Sequence, residues 1–431
     1  MKIKFLVIAA ILFLSSCSGE DRDQLTLKNS LINTSHLDTL YEEINIEGKT
    51  MGIIHIYSNY PDYKWIGDDD EGIACVDDAA RATIFYLRNY KLNEDTTSLA
   101  KAKHLTEFLL FMQSDNGFFY NFILEDHSIN RTHRNSINIA DWWSWRAMWA
   151  LSESYKIFRT LNYELGKKIL KCLENSVEAT KKSFPEEKII QKIAGIEFPN
   201  WLPSETASDQ ASVLVLALLN YLTETGDTSV ISYIKNLCEG ILLMQKGDSV
   251  NVPFYAFLSW QNLWHSYGNS QSYALLKASE ILKRNEFRTA ALNEINFFYD
   301  YLLRENFLSS FEIEKENDLL EISGKAQFSQ IAYNFRPMIF ACLEAFELTN
   351  DSAYVFKAIE ISQWFFGKNV AKTQMYYPTT GICYDGVNAE NDINMNSGAE
   401  STIEALLSLQ AVEKNTTSSM ILRNYSIVTD D

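Results

Sequence analysis

Helical stretches of two kinds alternate along this chain, and the alternation is the feature that most restricts its fold. One kind is apolar on nearly every side, as in ASVLVLALLNYL (211–222) and ALLSLQAV (405–412). The other kind carries a charged stripe, as in KKILKCLENSVEATKK (167–182). A helix that is apolar all round is buried, whereas a helix with one charged face borders solvent. The alternation therefore predicts a ring of buried inner helices surrounded by a ring of amphipathic outer helices.

The predicted helices form six antiparallel pairs within a single domain. Their spans are 34–43, 76–91, 97–113, 141–159, 162–183, 208–224, 228–246, 256–284, 287–303, 326–348, 352–367 and 398–413. No repeat of fixed period accompanies the pairs, which disfavours a solenoid of repeated motifs. We therefore predict an all-α fold, an (α/α)6 toroid over residues 34–415. The stretch 34–43 would be the short outer partner of the last inner helix, and residues 416–431 a C-terminal tail.

The first residues resemble a bacterial lipoprotein signal. Two lysines precede the ten apolar residues from Phe5 to Leu14, and the sequence LSSC follows on to Cys17. So short a run cannot span a bilayer as a mature helix. We predict a signal peptide over 1–16, lipidation of Cys17 and an acidic tether over 17–33. The tether resembles those of surface lipoproteins in Bacteroidetes-type bacteria, so we expect a lipid anchor in the outer membrane of a Gram-negative bacterium, with the protein surface-exposed.

The charge of the chain restricts its partners. The formal net charge is −18, and affinity for nucleic acid depends on Lys and Arg meeting phosphate. We therefore expect no nucleic-acid partner and favour a neutral ligand. The sequence has no HExxH, CxxC, EF-hand loop, phosphate-binding glycine loop or GxSxG elbow, so we predict no cofactor and no metal. The acidic run DDDEG (68–72) lacks the spacing of a calcium loop and is interpreted as a solvated loop near the mouth.

Polar and aromatic side chains collect where the predicted inner helices begin. If the inner helices share one direction, their N-termini surround one mouth of the toroid. Helix capping explains part of this pattern, because Asp, Ser and Asn favour N-caps and acids favour the first turn. Asp77, for example, is interpreted as a cap or as a residue that orients others. Capping does not explain the tryptophans, arginines and amides at the same ends.

The residues predicted at this mouth fall into two groups. The pool of catalytic carboxylates is Asp78, Asp141, Glu205, Asp385 and Glu400. The predicted substrate-binding residues are Arg81, Trp142, Trp143, Arg146, Trp201, Asp209, Trp260, Gln261, Trp264, His265, Tyr333, Asn334, Arg336, Tyr384 and Asn396. Within DWWSWRAMWA (141–150), we expect Trp145 and Trp149 to pack in the core, and Trp142 or Trp143 to meet ligand.

A mouth lined by acids, amides and indoles suits a neutral oligo- or polysaccharide. Planar polar groups pair with sugar hydroxyls, and indoles pack on the apolar faces of sugar rings. Neighbouring carboxylates also push their pKa values apart, because two nearby negative charges resist joint ionisation. Glycosidic bond cleavage needs one protonated and one ionised carboxyl group at the same bond.

Three segments carry a resemblance to a known family. They are GIACVDDAARA (72–82), DNGFFYNFI with DWWSWRAMWAL (115–123 and 141–151), and the closing stretch that ends in DGVNAENDINMNSGAESTIEALL (385–407). They resemble the six-hairpin glycosidase-like (α/α)6-toroid domains found alongside bacterial glycosyltransferases, whose pattern runs DDNARA, NGRFRNFM, GRALWALG and DG…N.NQGAEST. This chain departs from the pattern at Ala79–Ala80, where the family has Asn-Ala. The resemblance implies the toroid fold and a carbohydrate-active role.

Four functions compete for this sequence. The first is a glycoside hydrolase, with inversion of the anomeric centre, because acids on different inner helices can stand on opposite sides of a bond. The second is a sugar epimerase, which in related toroids uses paired histidines, whereas here only His265 begins a predicted inner helix. The third, a polysaccharide lyase, is disfavoured by the acidic charge. The fourth is a surface glycan-binding lipoprotein without catalysis.

Overall fold

The computed structural model describes residues 30–185 and 187–429. The predicted signal peptide, Cys17 and most of the predicted tether lie outside the described residues. The helices are α1 (Ser35–Leu40), α2 (Val76–Asn93), α3 (Thr96–Phe111), α4 (Trp142–Leu161), α5 (Tyr163–Ser183), α6 (Ser208–Thr225), α7 (Ile231–Met244), α8 (Gln271–Leu282), α9 (Asn285–Asn293), α10 (Tyr299–Arg304), α11 (Arg336–Thr349), α12 (Ala353–Ser362), α13 (Ala399–Lys414) and α14 (Thr416–Thr429). None of the described helices is long and apolar enough to cross a membrane.

Six of these helices form a closed inner ring. Helix α2 packs on α4, α4 on α6, α6 on α8, α8 on α11, α11 on α13, and α13 returns to α2. Each inner helix is followed by an antiparallel outer partner, and α9, a π-helical turn at Glu294–Phe298 and α10 together form the fourth partner. The predicted (α/α)6 toroid is therefore confirmed. The all-apolar stretches occupy the inner ring because both of their sides meet other helices.

The sixth outer helix differs from the expectation. Residues 34–43 form only the short α1 and the beginning of a strand at Tyr41. The outer partner of α13 is instead α14, which packs against α12 and α13 in the region interpreted as a tail. Its Ser418 and Leu422 are both buried, and residues four apart share one face of a helix. One leucine and two serines, the second being Ser419, are the buried side chains among residues 416–425 of this helix, a pattern too weak to recognise in the sequence.

Two inner helices begin later than predicted. The fourth was expected from residue 256 but begins at Gln271, because Gly268 has a φ of +74° that a right-handed helix cannot contain. The fifth was expected from residue 326 but begins at Arg336, with Pro337 in its first turn. Proline is tolerated there because the first N–H groups of a helix have no intrahelical partner. The residues from Trp260 to His265 therefore lie on a strand-bearing connection rather than on a helix.

Throughout residues 30–185 and 187–429, all strands lie in the connections that lead from an outer helix, or from α1, to the next inner helix. These connections gather at the N-terminal ends of the inner helices, whereas the opposite face has short turns. The strands pair in short antiparallel ribbons. They are β1 (Tyr41–Ile46), β2 (Lys49–Ile54), β3 (Tyr57–Asn59), β4 (Lys64–Ile66), β5 (Ala74–Cys75), β6 (Phe122–Ile123), β7 (Ile190–Ile193), β8 (Ile196–Pro199), β9 (Gln245–Lys246), β10 (Ala256–Phe257), β11 (Leu263–His265), β12 (Ser310–Glu316), β13 (Leu319–Ala326), β14 (Tyr376–Tyr377), β15 (Ile382–Cys383), β16 (Gly386–Ala389) and β17 (Asp392–Asn394).

Candidate functional site

Arg81 joins the first inner helix to the last at the mouth. From α2, its Nη1 donates to Glu400 Oε2 at 2.6 Å. Nη2 lies 3.6 Å from Asp78 Oδ1, and Nη1 lies 3.6 Å from Glu404 Oε1. Arg81 is 4% exposed and Glu404 0% exposed. Because these groups are shielded from water, their mutual attraction is stronger than at a surface. This cluster closes the ring between α2 and α13.

Arg146 connects the second inner helix to the first. Its Nη1 donates to Asp77 Oδ1 at 2.6 Å, and its Nη2 donates to Tyr333 OH at 3.0 Å. Asn121 Nδ2 donates to the other oxygen of Asp77 at 3.2 Å. The guanidinium lies 4.6 Å above the ring of Trp142. Asp77 is thus held from two sides, and it orients Arg146.

Tyr333 stands between three arginines. Its ring centre lies 5.1 Å from the guanidinium carbon of Arg81, 5.3 Å from that of Arg146 and 5.1 Å from that of Arg336. A cation over an aromatic face is attracted by the ring. Arg336 is almost fully buried and its Nε donates to Glu404. The tyrosine therefore anchors a layer of alternating cations and carboxylates beneath the mouth.

Asp78 contacts this layer through Arg81. Burial raises its pKa to about 6, and the neighbouring Arg81 opposes the rise. The Cys75 thiol donates to Asp78 Oδ2 at 3.1 Å, while the Cys75 sulfur caps α2 by accepting from the Asp78 N–H at 3.4 Å. Asp78 is only 3% exposed. Its position suits holding Arg81 better than direct contact with a ligand.

Asp141 is a carboxylate of the mouth with no ion-pair partner in the described chain. It caps α4, with Oδ1 accepting from the Trp142 N–H at 2.7 Å. Burial raises its pKa, and the negative charges of Asp77 and Asp209 add to the rise, while Arg146 opposes it. Its side chain is partly open to the mouth. A carboxyl group in such surroundings holds its proton to higher pH than an exposed one.

Asp385 secures the beginning of the last inner helix. Its Oδ1 accepts from the Gly398 N–H at 2.8 Å and from Ser401 Oγ at 2.6 Å. Burial raises its pKa, these two hydrogen bonds oppose the rise, and Glu400 adds to it. Asp385 therefore fixes the first turn of α13, from which Glu400 extends to Arg81.

A carboxylate–histidine pair lies between the third inner helix and the connection to the fourth. Asp209 Oδ2 is 2.9 Å from His265 Nε2. The imidazole stacks on the ring of Tyr267, with ring centres 3.8 Å apart. His265 Nδ1 has no hydrogen-bond partner in the described structure. Tyr267 is half-exposed, and burial raises its pKa, with Asp209 adding to the rise.

Several side chains that were predicted to contact ligand are enclosed by protein, as are Asp209, Tyr333 and Arg336 above. Trp143 Nε1 donates to the Phe119 carbonyl at 2.7 Å, and Trp201 Nε1 donates to the Asn236 carbonyl at 3.0 Å. Trp264 and Asn334 are each 3% exposed. Trp143 is turned inward since each residue of a helix rotates by about 100° from its neighbour. The core positions expected for Trp145 and Trp149 agree with their burial.

Trp142, unlike Trp143, is partly exposed at the mouth and lies beside Gly268. The other predicted aromatic residue of this rim is Trp260, which is 41% exposed and donates from Nε1 to the Ser204 carbonyl at 3.3 Å. Gln261 accompanies it, with its N–H bonded to Thr206. Trp142 thus lies next to the residue that follows Tyr267, and Trp260 and Gln261 contact the segment that leads into α6.

Three further predicted residues have their described contacts outside the arginine cluster. Glu205 is exposed, and its described hydrogen bond is to Gln191 on β7, so the structure does not join it to the arginine-held carboxylates. Asn396 accepts the Tyr60 N–H through its amide oxygen. Tyr384 is buried against Tyr377.

Two residues of the site were not predicted from the sequence. Glu404 lies four residues after Glu400 on the same face of α13, a spacing that indicates a shared partner, and it meets Arg81 and Arg336. Tyr267 lies in an irregular connection, where no periodic signal marks it. Among residues 30–185 and 187–429, no cluster of His, Cys, Asp and Glu could hold a metal ion. The five described cysteines are free and buried.

Solved structures share this architecture, although no protein-family model and no curated protein matches the sequence. A cellobiose 2-epimerase from Bacillus thermoamylovorans B4167 has a TM-score of 0.61 at 15% identity, over 92% of this chain and 98% of that chain. The fold is that of the six-hairpin toroids. A family 76 glycoside hydrolase from a bovine Bacteroides thetaiotaomicron strain has a TM-score of 0.57 at 10% identity, over 90% and 79%. A D-mannose isomerase has a TM-score of 0.57 at 11% identity, over 93% and 100%.

Proposed function

We propose that this protein is a carbohydrate-active enzyme, a glycoside hydrolase that inverts the anomeric centre of a neutral oligo- or polysaccharide. The observation that carries the proposal is the contrast between two carboxyl groups at one mouth. Asp141 has a raised pKa and no ion-pair partner in the described chain, whereas Glu400 is ion-paired with Arg81. Inverting hydrolysis requires one carboxyl group that gives a proton to the leaving oxygen and a second, ionised one on the other side of the bond.

Asp141 is the general acid in this proposal, and Glu400 is the general base. Glu400 is 43% exposed in its side chain, so its oxygen Oε1 can meet a water molecule while Oε2 is held by Arg81. Asp141 begins α4 and Glu400 begins α13, the two neighbours of α2 in the ring. The proposal requires their carboxyl groups to stand about 6.5–9.5 Å apart, the separation that leaves room for a water and a sugar in inverting enzymes. Asp385 acts as a positioning residue.

The solved relatives support the carbohydrate part of the proposal. One neighbour is a family 76 glycoside hydrolase, and others are sugar epimerases or isomerases. The net charge of −18 favours a neutral glycan over a polyuronate. Cys17 is proposed to anchor the enzyme in the outer membrane. Replacement of Cys17 by serine should then release the protein from the membrane fraction and prevent labelling by a palmitate analogue.

The test is turnover of neutral oligosaccharides by Asp141→Asn and Glu400→Gln, with proton NMR of the first product anomer. We expect each variant to lose about 10²–10⁴-fold in kcat, while circular dichroism stays unchanged. Glu164→Gln on the exposed face of α5 is the matched control and should keep full activity. A fully active Asp141→Asn variant refutes the acid assignment. Binding without turnover by the wild type would favour the glycan-binding alternative.

A sugar epimerase is the second candidate, and the Asp209–His265 pair favours it. Asp209 lies within hydrogen-bond distance of the imidazole Nε2, an arrangement in which a carboxylate orients a histidine for proton transfer. The similarity in fold to cellobiose 2-epimerase supports the same possibility. Incubation with reducing disaccharides in deuterium oxide distinguishes the two functions. Deuterium at C2 that disappears in His265→Asn would establish epimerisation, whereas hydrolysis products without exchange would exclude it.

A further inference from the structure

A group of exposed aromatic rings borders the mouth and has no part in the proposed chemistry. The hairpin of β3 and β4 carries Tyr57, Tyr60 and Trp65, whose side chains are 38%, 50% and 42% exposed. We call these three residues the aromatic rim. Single exposed hydrophobic residues are common, but a group of large rings on one short hairpin indicates an interaction surface.

The aromatic rim is attached directly to the beginning of α13. The Tyr60 N–H donates to Asn396 Oδ1 at 3.0 Å. The Ser397 N–H donates to the Ser58 carbonyl at 3.1 Å. Glu400, the proposed general base, lies in the first turn of α13. The hairpin therefore continues the wall of the mouth outward from the catalytic carboxylate.

The other side of the hairpin reaches the segment before α2. Tyr57 OH donates to Glu71, which precedes β5 and the capping residue Cys75. Asn130 Nδ2 donates to the Glu71 carbonyl at 3.2 Å and so links this segment to the connection between α3 and α4. The rim thus lies across the first and last inner helices, which are the two that carry Arg81 and Glu400.

The indole of Trp65 is held in one orientation by a buried histidine. Its indole stacks on the imidazole of His55, with ring centres 3.7 Å apart and planes within 3°. His55 is 0% exposed, and its Nε2 lies 2.7 Å from Glu42 Oε2. The histidine covers one face of the indole, so the exposed area belongs to the rest of the ring. A ring that is fixed before binding loses little conformational entropy when a ligand packs on it.

We propose that the aromatic rim is a sugar-stacking surface for an extended neutral glycan whose reacting end occupies the mouth. This deepens the proposed function and rests on it. The apolar faces of pyranose rings match flat aromatic side chains, and the outward course of the hairpin matches a chain that leaves the mouth. The proposal therefore predicts a polysaccharide or a long oligosaccharide as the substrate, with sugar units that extend from the mouth onto these rings.

Affinity electrophoresis of the full chain, purified without its signal, tests this surface. The gels contain a soluble α-mannan, a galactomannan, a xylan or hydroxyethyl cellulose. Tyr60→Ala and Trp65→Ala should each weaken binding to the retained polysaccharide about tenfold. Tyr60→Ala is measured beside Trp65→Ala because Trp65 also covers His55. Tyr163→Ala is the matched control, since Tyr163 is 66% exposed at the start of α5, on the face of short turns.

The outcomes distinguish the proposed binding role of the aromatic rim from the proposed hydrolase activity. Turnover of short aryl glycosides should stay the same in the rim variants and fall in Asp141→Asn. The proposal for the aromatic rim is refuted if Tyr60→Ala, Trp65→Ala and Tyr163→Ala bind the polysaccharide with equal affinity. It is also refuted if no gel retards the wild type. If polysaccharide binding depends on the aromatic rim but no substrate is hydrolysed, the binding surface is supported and the proposed hydrolase activity is refuted.

Discussion

At the scale of single residues, arginine has a role here that lysine could not take. Arg81 meets Asp78, Glu400 and Glu404 with one planar group, and its face also lies against Tyr333. A guanidinium has five donors in a fixed plane and is weakly hydrated, so it can be buried beside several carboxylates. A lysine offers a single strongly hydrated charge. An acidic chain can therefore bring acids to one mouth without their mutual repulsion opening the ring.

Replacement of Arg81 by methionine tests this argument. Three carboxylates would lose their shared cation, and two of them are almost fully buried. Breaking a buried ion pair on one side costs about 3–5 kcal/mol, and we expect that loss in the free energy of unfolding measured in urea. Arg284→Gln is the control, because its pair with Glu286 is solvent-exposed and should cost less than about 1 kcal/mol. Equal losses in both variants would contradict the argument.

At the scale of elements, the helices could be predicted from the sequence but their first residues often could not. The pattern of apolar residues continues smoothly through Trp264 and Gly268, although Trp264 pairs with Phe311 in a strand ladder. Short ribbons of this kind depend on partners far away in the chain, so local periodicity does not show them. The start of α11 was visible in principle, since Pro337 fits only the first turn of a helix.

Gly72, in the connection before α2, allows two backbones to approach closely. Its φ is +120°, and a Cβ placed there would lie 2.0 Å from the Ile123 carbonyl oxygen. Gly226 has a φ of +72° with open space around it, so Gly226→Ala should lose only about 1–2 kcal/mol of unfolding free energy through backbone strain. Gly72→Ala should lose about 1–3 kcal/mol more through the clash. Urea unfolding of the two variants gives the comparison, and similar losses would show that the close approach is not needed.

The π-helical turn between α9 and α10 contains a buried acid whose titration should affect stability. Burial raises the pKa of Glu294 to about 7, from 4.5 for the free side chain. The unfolded chain ionises first, so the folded state loses stability as pH rises from about 4.5 to about 7, and the loss is complete above that range. The difference corresponds to roughly 3 kcal/mol.

Glu294→Gln provides the measurement. Its oxygen can still accept from the Phe257 N–H, which donates to Glu294 at 2.9 Å, but it cannot ionise. Urea unfolding at a series of pH values should show a decline for the wild type between pH 4.5 and 7, and a clearly shallower one for the variant. Parallel curves would mean that Glu294 does not titrate differently in the folded and unfolded states.

At the scale of the whole molecule, the site exists only because the ring closes. Arg81 and Glu400 are separated by 319 positions in the chain, and no local spacing could show that they meet. The sequence could indicate their convergence only through the shared direction of the inner helices. It could not distinguish side chains that face the mouth from those that face the core, as Trp142 and Trp143 illustrate. Those orientations depend on the packing of neighbouring helices.

Closure of the ring also predicts how the molecule unfolds. In a linear array, each hairpin contacts only its neighbours, and a weakened end unravels first. Here α13 packs on both α11 and α2, so damage to its outer partner α14 should spread to the entire ring. Leu422 of α14 is 0% exposed, whereas Met420, two residues earlier, is 63% exposed. Leu422→Ala should cost about 2–5 kcal/mol, and Met420→Ala should stay within about 0.5 kcal/mol of the wild type.

The decisive measurement on Leu422→Ala compares two probes during thermal unfolding. Tryptophan fluorescence reports on the ring outside the sixth hairpin, because four of the nine tryptophans lie in α4 and none lies in α13 or α14, whereas circular dichroism reports on all helices. In a closed ring both signals should change in one transition at a lowered temperature, because no hairpin can leave without exposing the inner faces of its two neighbours. An early loss of helix that leaves the tryptophan signal unchanged would show that the sixth hairpin unfolds alone. The meeting of Arg81 and Glu400 would then depend on that hairpin only, and not on cooperative closure.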